Sequence, residues 1–294
     1  MGARDPVSNV TPSTVFGGDA HALDFSEHDF ERVRRIIFEL AGIDLNASKQ
    51  SMVYSRLSRR LRACGIDSFS RYLDQLETSV AFASQERQEF VNSLTTNLTS
   101  FYREEHHFPI LTQFLNSCPG GRPLRIWCAA ASTGEEPYSI AMTIVEALGP
   151  ASSARVLATD IDTQVLASAS RGVYRDQAVR ACGQQRLRRF FLRGTGANAG
   201  AVRVRPELAR FVEFAQLNLL ESGWPLLDRF GPQVDAVFCR NVMIYFNRAT
   251  QRAVLERIGA VLRPGGLLFA GHSENFTDCR DRFVARGKTV YERL

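Results

Sequence analysis

No C-x-x-C pair occurs among the six cysteines, Cys64, Cys118, Cys128, Cys182, Cys239 and Cys279. That argues against a structural zinc site or a disulfide framework and fits a reducing, cytoplasmic setting. No apolar run approaches the roughly 20 residues needed to span a bilayer. The first residues lack the basic start and apolar core of a signal peptide, so the expectation is a cytoplasmic protein that is not inserted in a membrane. Residues 1–20, rich in Gly, Pro, Ser and Thr with little to bury, are expected to be a disordered tail. G-x-G-x-x-G is missing where a dinucleotide-binding strand-turn-helix would carry it, so a dinucleotide pyrophosphate is poorly supported. Gly194–Gly200 is glycine-rich, but no helix with a Lys-Ser/Thr pair follows, so a phosphate loop is not supported either.

What is present fits one large or two ordinary domains: 294 residues with a net charge of +5, a moderate excess that hints at an acidic partner. Helical periodicity dominates residues 21–95. Ser26 is placed to cap a helix through Phe30, Val33, Ile37 and Leu40 that Gly42 ends. Lys49–Arg62 follows, with Lys49, Arg56, Arg59, Arg60 and Arg62 and no acid. Val53, Leu57 and Leu61 form its apolar stripe, and Lys49, Arg56, Arg59 and Arg60 share a neighbouring arc. Such an arc fits a solvated face or a dock for an acidic surface; no aromatic residues interleave as single-stranded nucleic acid would require. Helices are also expected over Phe69–Glu77 and Ser84–Leu94. The pair His106-His107 invites a metal reading, but no acid or cysteine is spaced to complete a tetrahedral set, so no metal is expected.

From residue 96 to 294 strand-like and helical runs alternate, which implies a parallel sheet covered on both faces. Arg125–Ala129, Arg155–Thr159, Phe211–Phe214, Val234–Cys239, Leu267–Ala270 and Thr289–Tyr291 read as strands. Right-handed crossovers put the strand C-terminal ends on one edge, so Gly134, Asp160, Asn218 and Arg240 should share a crevice. The stretch 184–214 breaks the rhythm and reads as a small antiparallel β insertion with a glycine-rich tip. Asp160, at the second strand end, suits a ribose diol, and Asp162 suits the helix N-cap that follows. Ribose without pyrophosphate points to a nucleoside cofactor such as S-adenosylmethionine.

The blocks Asn97–Arg103, Ala129–Tyr138, Ala158–Asp162, Cys239–Phe246 and Phe269–Asn275 occur in this order. Through them the chain, from about residue 25 to its end, resembles the CheR chemotaxis receptor methyltransferases. The resemblance implies an α/β, Rossmann-like S-adenosylmethionine-dependent methyltransferase domain behind an α-helical N-terminal domain. It implies methyl-ester formation on glutamate side chains of chemoreceptor cytoplasmic helices, with S-adenosylhomocysteine as product. Carried over by position, it assigns cofactor contacts to Asn97, Thr99, Arg103, Glu136, Asp160, Asn218, Leu219, Arg240 and Asn241; the sequence leaves open whether Glu135 or Glu136 faces the cofactor. Arg103 and Tyr245 are expected to orient the cofactor or the incoming carboxylate. Arg56, Arg59 and Arg60 are expected to guide the acidic receptor helix. In some family members the β insertion binds a C-terminal receptor pentapeptide by strand addition, which makes Gly194 and Gly196 candidate contacts. An ionised glutamate needs no general base, and no Ser-His-Asp or Cys-His arrangement is found. Two competing readings fit the sequence less well. A nucleic-acid methyltransferase would commonly carry Asn/Asp-Pro-Pro-aromatic after the fourth strand, where this chain has Arg240-Asn241-Val242-Met243. A non-catalytic binding module is disfavoured because the polar positions of the matched blocks are all retained.

Overall fold

The computed structural model describes residues 23–118, 122–276 and 279–294; the tail expected over residues 1–20 lies outside them. Ser26 caps α1 (Glu27–Ala41) through a reciprocal bond with Asp29, and Gly42, at φ 69°, ends it. α2 (Gln50–Ala63), α3 (Phe69–Thr78) and α4 (Val80–Leu94) follow, the last two capped by Ser68 and Ser79. Phe30, Ile37, Leu57, Leu61, Phe69, Tyr72 and Phe90 make the apolar centre of this four-helix unit. Inside it the carboxylate of Glu86 accepts the Tyr72 hydroxyl (2.8 Å) and Arg60 Nε (2.5 Å).

The second unit alternates, as its sequence pattern requires. It begins with α5 (His107–Ser117), β1 (Arg125–Cys128), α6 (Glu135–Leu148), β2 (Arg155–Asp160) and α7 (Thr163–Arg171). β3 (Val173–Arg175), α8 (Gly183–Phe190), β4 (Phe191–Arg193), β5 (Ala201–Val204) and α9 (Pro206–Ala209) come next. It closes with β6 (Val212–Gln216), α10 (Pro225–Phe230), β7 (Val234–Cys239), α11 (Arg248–Val261), β8 (Leu262–Ala270), β9 (Phe283–Gly287) and β10 (Val290–Arg293). Seven strands form one sheet in the order β6-β2-β1-β7-β8-β10-β9. β6, β2, β1, β7 and β8 are parallel, and β10 runs antiparallel to β8 and β9. Period-two alternation sends neighbouring side chains to opposite faces. Ile126, Cys128, Phe238 and Phe269 therefore pack beneath α5 and α6, while Trp127, Val237, Cys239 and Leu268 pack with α10 and α11. The strand order reverses between β1 and β7, which opens a crevice at their C-terminal ends. The opposite, N-terminal edge is locked by the fully buried Asp235, which accepts from Arg122, from Arg263 Nε (2.7 Å) and from the Arg125 N–H (2.9 Å).

The small antiparallel sheet has the order β3-β5-β4. It starts at Val173, earlier than the stretch 184–214, because β3 is a three-residue strand directly after a helix and too short to show alternation. α5 and β9 were likewise not visible as periodic runs. β8 begins at Leu262, earlier than the expected strand over Leu267–Ala270, and its register against β7 shifts between Val234 and Ala236.

His107, at the start of α5, ties that helix to the far side of the sheet. Its ring is fully buried, packs on Phe269 at 5.4 Å, and has Nε2 2.9 Å from the Lys288 carbonyl. A carbonyl only accepts, so Nε2 carries the proton. Burial, helped by the nearby Arg240 charge, lowers the imidazole to about 4 from its ordinary 6.5. Between those values the unfolded chain takes up a proton that the folded chain refuses, so stability is complete above about pH 6.5 and falls as pH drops through 4. Urea unfolding midpoints should decline over this window, by on the order of 2 kcal/mol of stability, and His107→Gln should remove most of that decline. An unchanged pH profile in the variant would contradict this.

Candidate active site

The crevice is a cavity of about 520 Å³ between the helical unit and the strand tips, a size typical of small-ligand sites. Its floor is the turn after β1. Ser132 adopts a left-handed conformation (φ 47°), as does Gly134 (φ 99°). A Cβ on Gly134 would meet the Tyr174 hydroxyl at 2.7 Å and Ala169 at 2.9 Å, so only glycine fits. Tyr174 then fixes the turn by donating to the Thr133 carbonyl (2.9 Å).

Asp160 ends β2 at the cavity wall, nearly buried. One of its oxygens accepts the Ser132 N–H (2.8 Å) and the other the Asp162 N–H (3.0 Å). Burial pushes its carboxyl up, against the pull of these two donors. Each oxygen keeps acceptor capacity, so the carboxylate can still take the two hydroxyls of a ribose. Apolar Ile161, Leu217 and Leu219 border the cavity with it and suit a purine face. Asp162 is the N-cap of α7, accepting from the Gln164 N–H (2.9 Å) and the Val165 N–H (3.2 Å), as its position after β2 suggested. Its other oxygen accepts from Thr95 (2.6 Å) and Asn97 (2.8 Å), which pins the segment after α4 to the sheet.

The sequence-assigned residues Asn97, Thr99, Arg103, Glu136, Asp160, Asn218, Leu219, Arg240, Asn241 and Tyr245 all border this one cavity. Glu136 lines it and Glu135 does not; the Glu135 carboxylate is buried and held by the Thr133 hydroxyl (2.6 Å). Asn218 also does turn work, donating to the Leu40 carbonyl (2.8 Å) and accepting the Leu220 N–H (3.0 Å). Arg103 Nη1 donates to the Leu98 carbonyl (2.7 Å). Arg56 borders the cavity too, and Nη1 caps the end of α4 through the Leu94 (3.0 Å) and Thr95 (2.6 Å) carbonyls. Arg60 is paired with Glu86, whereas Arg59 is exposed and has no side-chain hydrogen bond or ion pair among the described residues. Arg59 and Arg60 border a neighbouring cleft instead. Gly194 and Gly196 lie at the β4–β5 tip, away from the cavity; a side chain on Gly194 would collide with the Asn198 carbonyl.

Two acids that motif reasoning left without a role organise the site. Glu274 is buried and accepts four backbone N–H groups, those of Gly271 (2.6 Å), Asn241 (2.9 Å), Val242 (3.0 Å) and Met243 (2.8 Å). It thereby shapes the loop after β7, including left-handed Asn241 (φ 59°). Glu104 receives His272 (N–H 3.2 Å, Nδ1 3.1 Å) and Asn241 Nδ2 (3.4 Å), and lies 3.4 Å from Arg240 Nη2. Burial favours its neutral form, but Arg240 and these donors prevail and lower it to about 2. Arg240 itself is buried, bonds the Glu136 carboxylate, and donates to the Arg103 carbonyl (2.5 Å). The signal for Glu274 was its place inside the block Phe269–Asn275, and for Glu104 its place directly after the block Asn97–Arg103. Contrary to the spacing argument, the turn before α5 brings Glu104 to His106 and His107, with ligand atoms within 4.8 Å of one another. The Arg240 cation beside Glu104 works against a metal ion there.

The sequence model of the CheR methyltransferase SAM binding domain matches residues 97–291, and that of the CheR methyltransferase all-alpha domain matches residues 28–95. The chain is 52% identical over 273 residues to a chemotaxis protein methyltransferase of Klebsiella aerogenes, covering 92% of this chain and 91% of that one. It is 51% identical over 270 residues to one of Escherichia coli, covering 92% of each chain. With chemotaxis protein methyltransferase 2 of Pseudomonas aeruginosa the identity is 50% over 283 residues, covering 96% and 98%. The fold, the crevice at the strand tips and these likenesses lead to one conclusion: the chain belongs to the CheR family of S-adenosylmethionine-dependent chemotaxis methyltransferases.

Proposed function

We propose that the protein esterifies glutamate side chains on the methylation helices of chemoreceptors, in the cytoplasm. S-adenosylmethionine, when bound, supplies an electrophilic methyl group on a sulfonium sulfur. The observation that carries the choice of acceptor is the make-up of the cavity wall: among the described residues no histidine or cysteine borders it. A hydroxyl or amine acceptor would need a base poised near neutral pH, whereas a glutamate is already ionised. What remains for the protein is alignment and partial dehydration of that carboxylate. Arg103 is the cation at the rim suited to hold it. The described residues give the Tyr245 hydroxyl no other partner, and Tyr245 faces the same cavity. No helix among the described residues is long and apolar enough to cross a membrane, and no disulfide joins the described cysteines.

The positive arc of α2 supports guidance of an acidic helix by Arg56, Arg59 and Arg60. The three are not equivalent, because Glu86 offsets Arg60 and Arg56 caps α4. In the small sheet β3 and β4 are both edge strands, with Leu192 41% exposed. That supports capture of a receptor C-terminal peptide by strand addition beside Gly194 and Gly196.

Incubation with methyl-labelled S-adenosylmethionine and receptor membranes should give a base-labile methyl ester on receptor; base-stable label, or label on nucleic acid, would contradict the proposal. Arg103→Ala should lower kcat by about 100-fold with little change in thermal midpoint, since the side chain makes one surface bond; wild-type turnover would remove Arg103 from this role. The receptor methylation rate should fall by about 10-fold between low and 0.3 M salt. Arg59→Ala should flatten that dependence more than Arg60→Ala does, and a salt-independent rate would exclude electrostatic guidance.

A further inference from the structure

Leu98 and Ile244 are 79% and 49% exposed. Of the eight exposed large apolar side chains among the described residues, only these two border the cavity. The backbone near each is hydrogen-bonded. The Leu98 carbonyl is bonded by Arg103. Ile244 lies in a 3-10 turn, Met243–Tyr245; Glu274 anchors the N–H groups of Val242 and Met243, and Gln251 Nε2 donates to the carbonyls of Met243 (2.8 Å) and Phe246 (2.9 Å). Bare aliphatic groups at a site entrance keep apolar area in water, and an occupant that covers them recovers its burial. To the same lining α2 and the turn before it supply Lys49, Met52 and Arg56. One acid, Asp44, also borders the opening; its N–H is bonded to the Tyr245 carbonyl (2.8 Å). The lining thus joins the cations Lys49, Arg56 and Arg103 to the bare aliphatic groups of Leu98 and Ile244, which complements an amphipathic helix carrying a carboxylate.

We propose that Leu98 and Ile244 form an apolar collar that sets specificity among receptor glutamates, accepting a glutamate whose neighbours on its helix are uncharged. The proposal rests on the carboxyl-methylation reading above. On a helix the residues that flank position i on the same face are i±3 and i±4. When the glutamate stem passes between Leu98 and Ile244, those neighbours are pressed onto the collar. A charged group there would be desolvated without a partner, and such a mismatch repels wrong substrates. The collar also sheds water from the carboxylate as it enters.

The test uses the full-length enzyme and a receptor cytoplasmic fragment with one target glutamate, in two versions: the native neighbours, and a lysine at i+4. Wild type should favour the first by about 10-fold in kcat/KM. In the Leu98→Ala/Ile244→Ala double variant KM for the native fragment should rise by about 10-fold and the preference should shrink toward unity. kcat and calorimetric affinity for S-adenosylhomocysteine should stay within about twofold of wild type. Unchanged KM and preference would overturn the collar. So would loss of S-adenosylhomocysteine binding, which would make the two residues part of the cofactor pocket. Failure of the reading beneath is distinguished by the wild-type control: no base-labile methyl on either fragment would overturn both.

Discussion

The buried guanidinium of Arg240 is the contact on which this site depends. A charge removed from water must be paired and hydrogen-bonded or it costs several kcal/mol. Here Glu136 from the first turn of α6, Glu104 from the turn before α5, and the Arg103 carbonyl share it. Those partners come from two separate parts of the chain, and Arg240, following the tip of β7, is a third. One cation therefore sets the spacing between the β1–α6 turn, the loop after β7 and the segment that joins the two units. Asn241 and His272 join through Glu104, so the loop after β8 is drawn into the same network.

Around this centre the remaining loops are fixed by carboxylates that bind backbone rather than by side-chain packing. Glu274 holds four consecutive or nearby N–H groups, Asp160 two, and Asp162 caps α7 while gripping Thr95 and Asn97. Such an arrangement leaves little to reorganise when a ligand enters, and preorganised alignment is a main contribution a protein can make to methyl transfer. The helical unit completes the enclosure: Asn218 reaches Leu40, Asp44 reaches Tyr245, and Asn92 bonds Thr163 (3.0 Å). The basic face of α2 is thereby held at the entrance.

Much of this was legible in the sequence because it follows from periodicity. Short apolar runs of strand length marked β1, β2, β7 and the core of β8, the 3.6-residue period marked α1 and α2, and topology alone placed Asp160, Asn218 and Arg240 at one edge. Asp162 as the cap of α7 followed from its position after a strand. Short elements and long-range contacts were not legible. β3 has three residues, and the left-handed turn that carries Glu104 to His106, His107 and Arg240 has no periodic signature. The division of labour among Arg56, Arg59 and Arg60 was hidden for a similar reason. Their spacing on α2 is identical in kind, but Glu86 and the α4 carbonyls that engage two of them are 26 to 39 residues away.

The most direct test of the Arg240 network is calorimetric titration of S-adenosylhomocysteine into wild type and Arg240→Lys, with circular dichroism to verify that the variant is folded. Lysine keeps the charge but cannot bridge Glu136, Glu104 and the Arg103 carbonyl at once. The account predicts affinity lowered by at least about 10-fold in the folded variant. Affinity within twofold of wild type would contradict it.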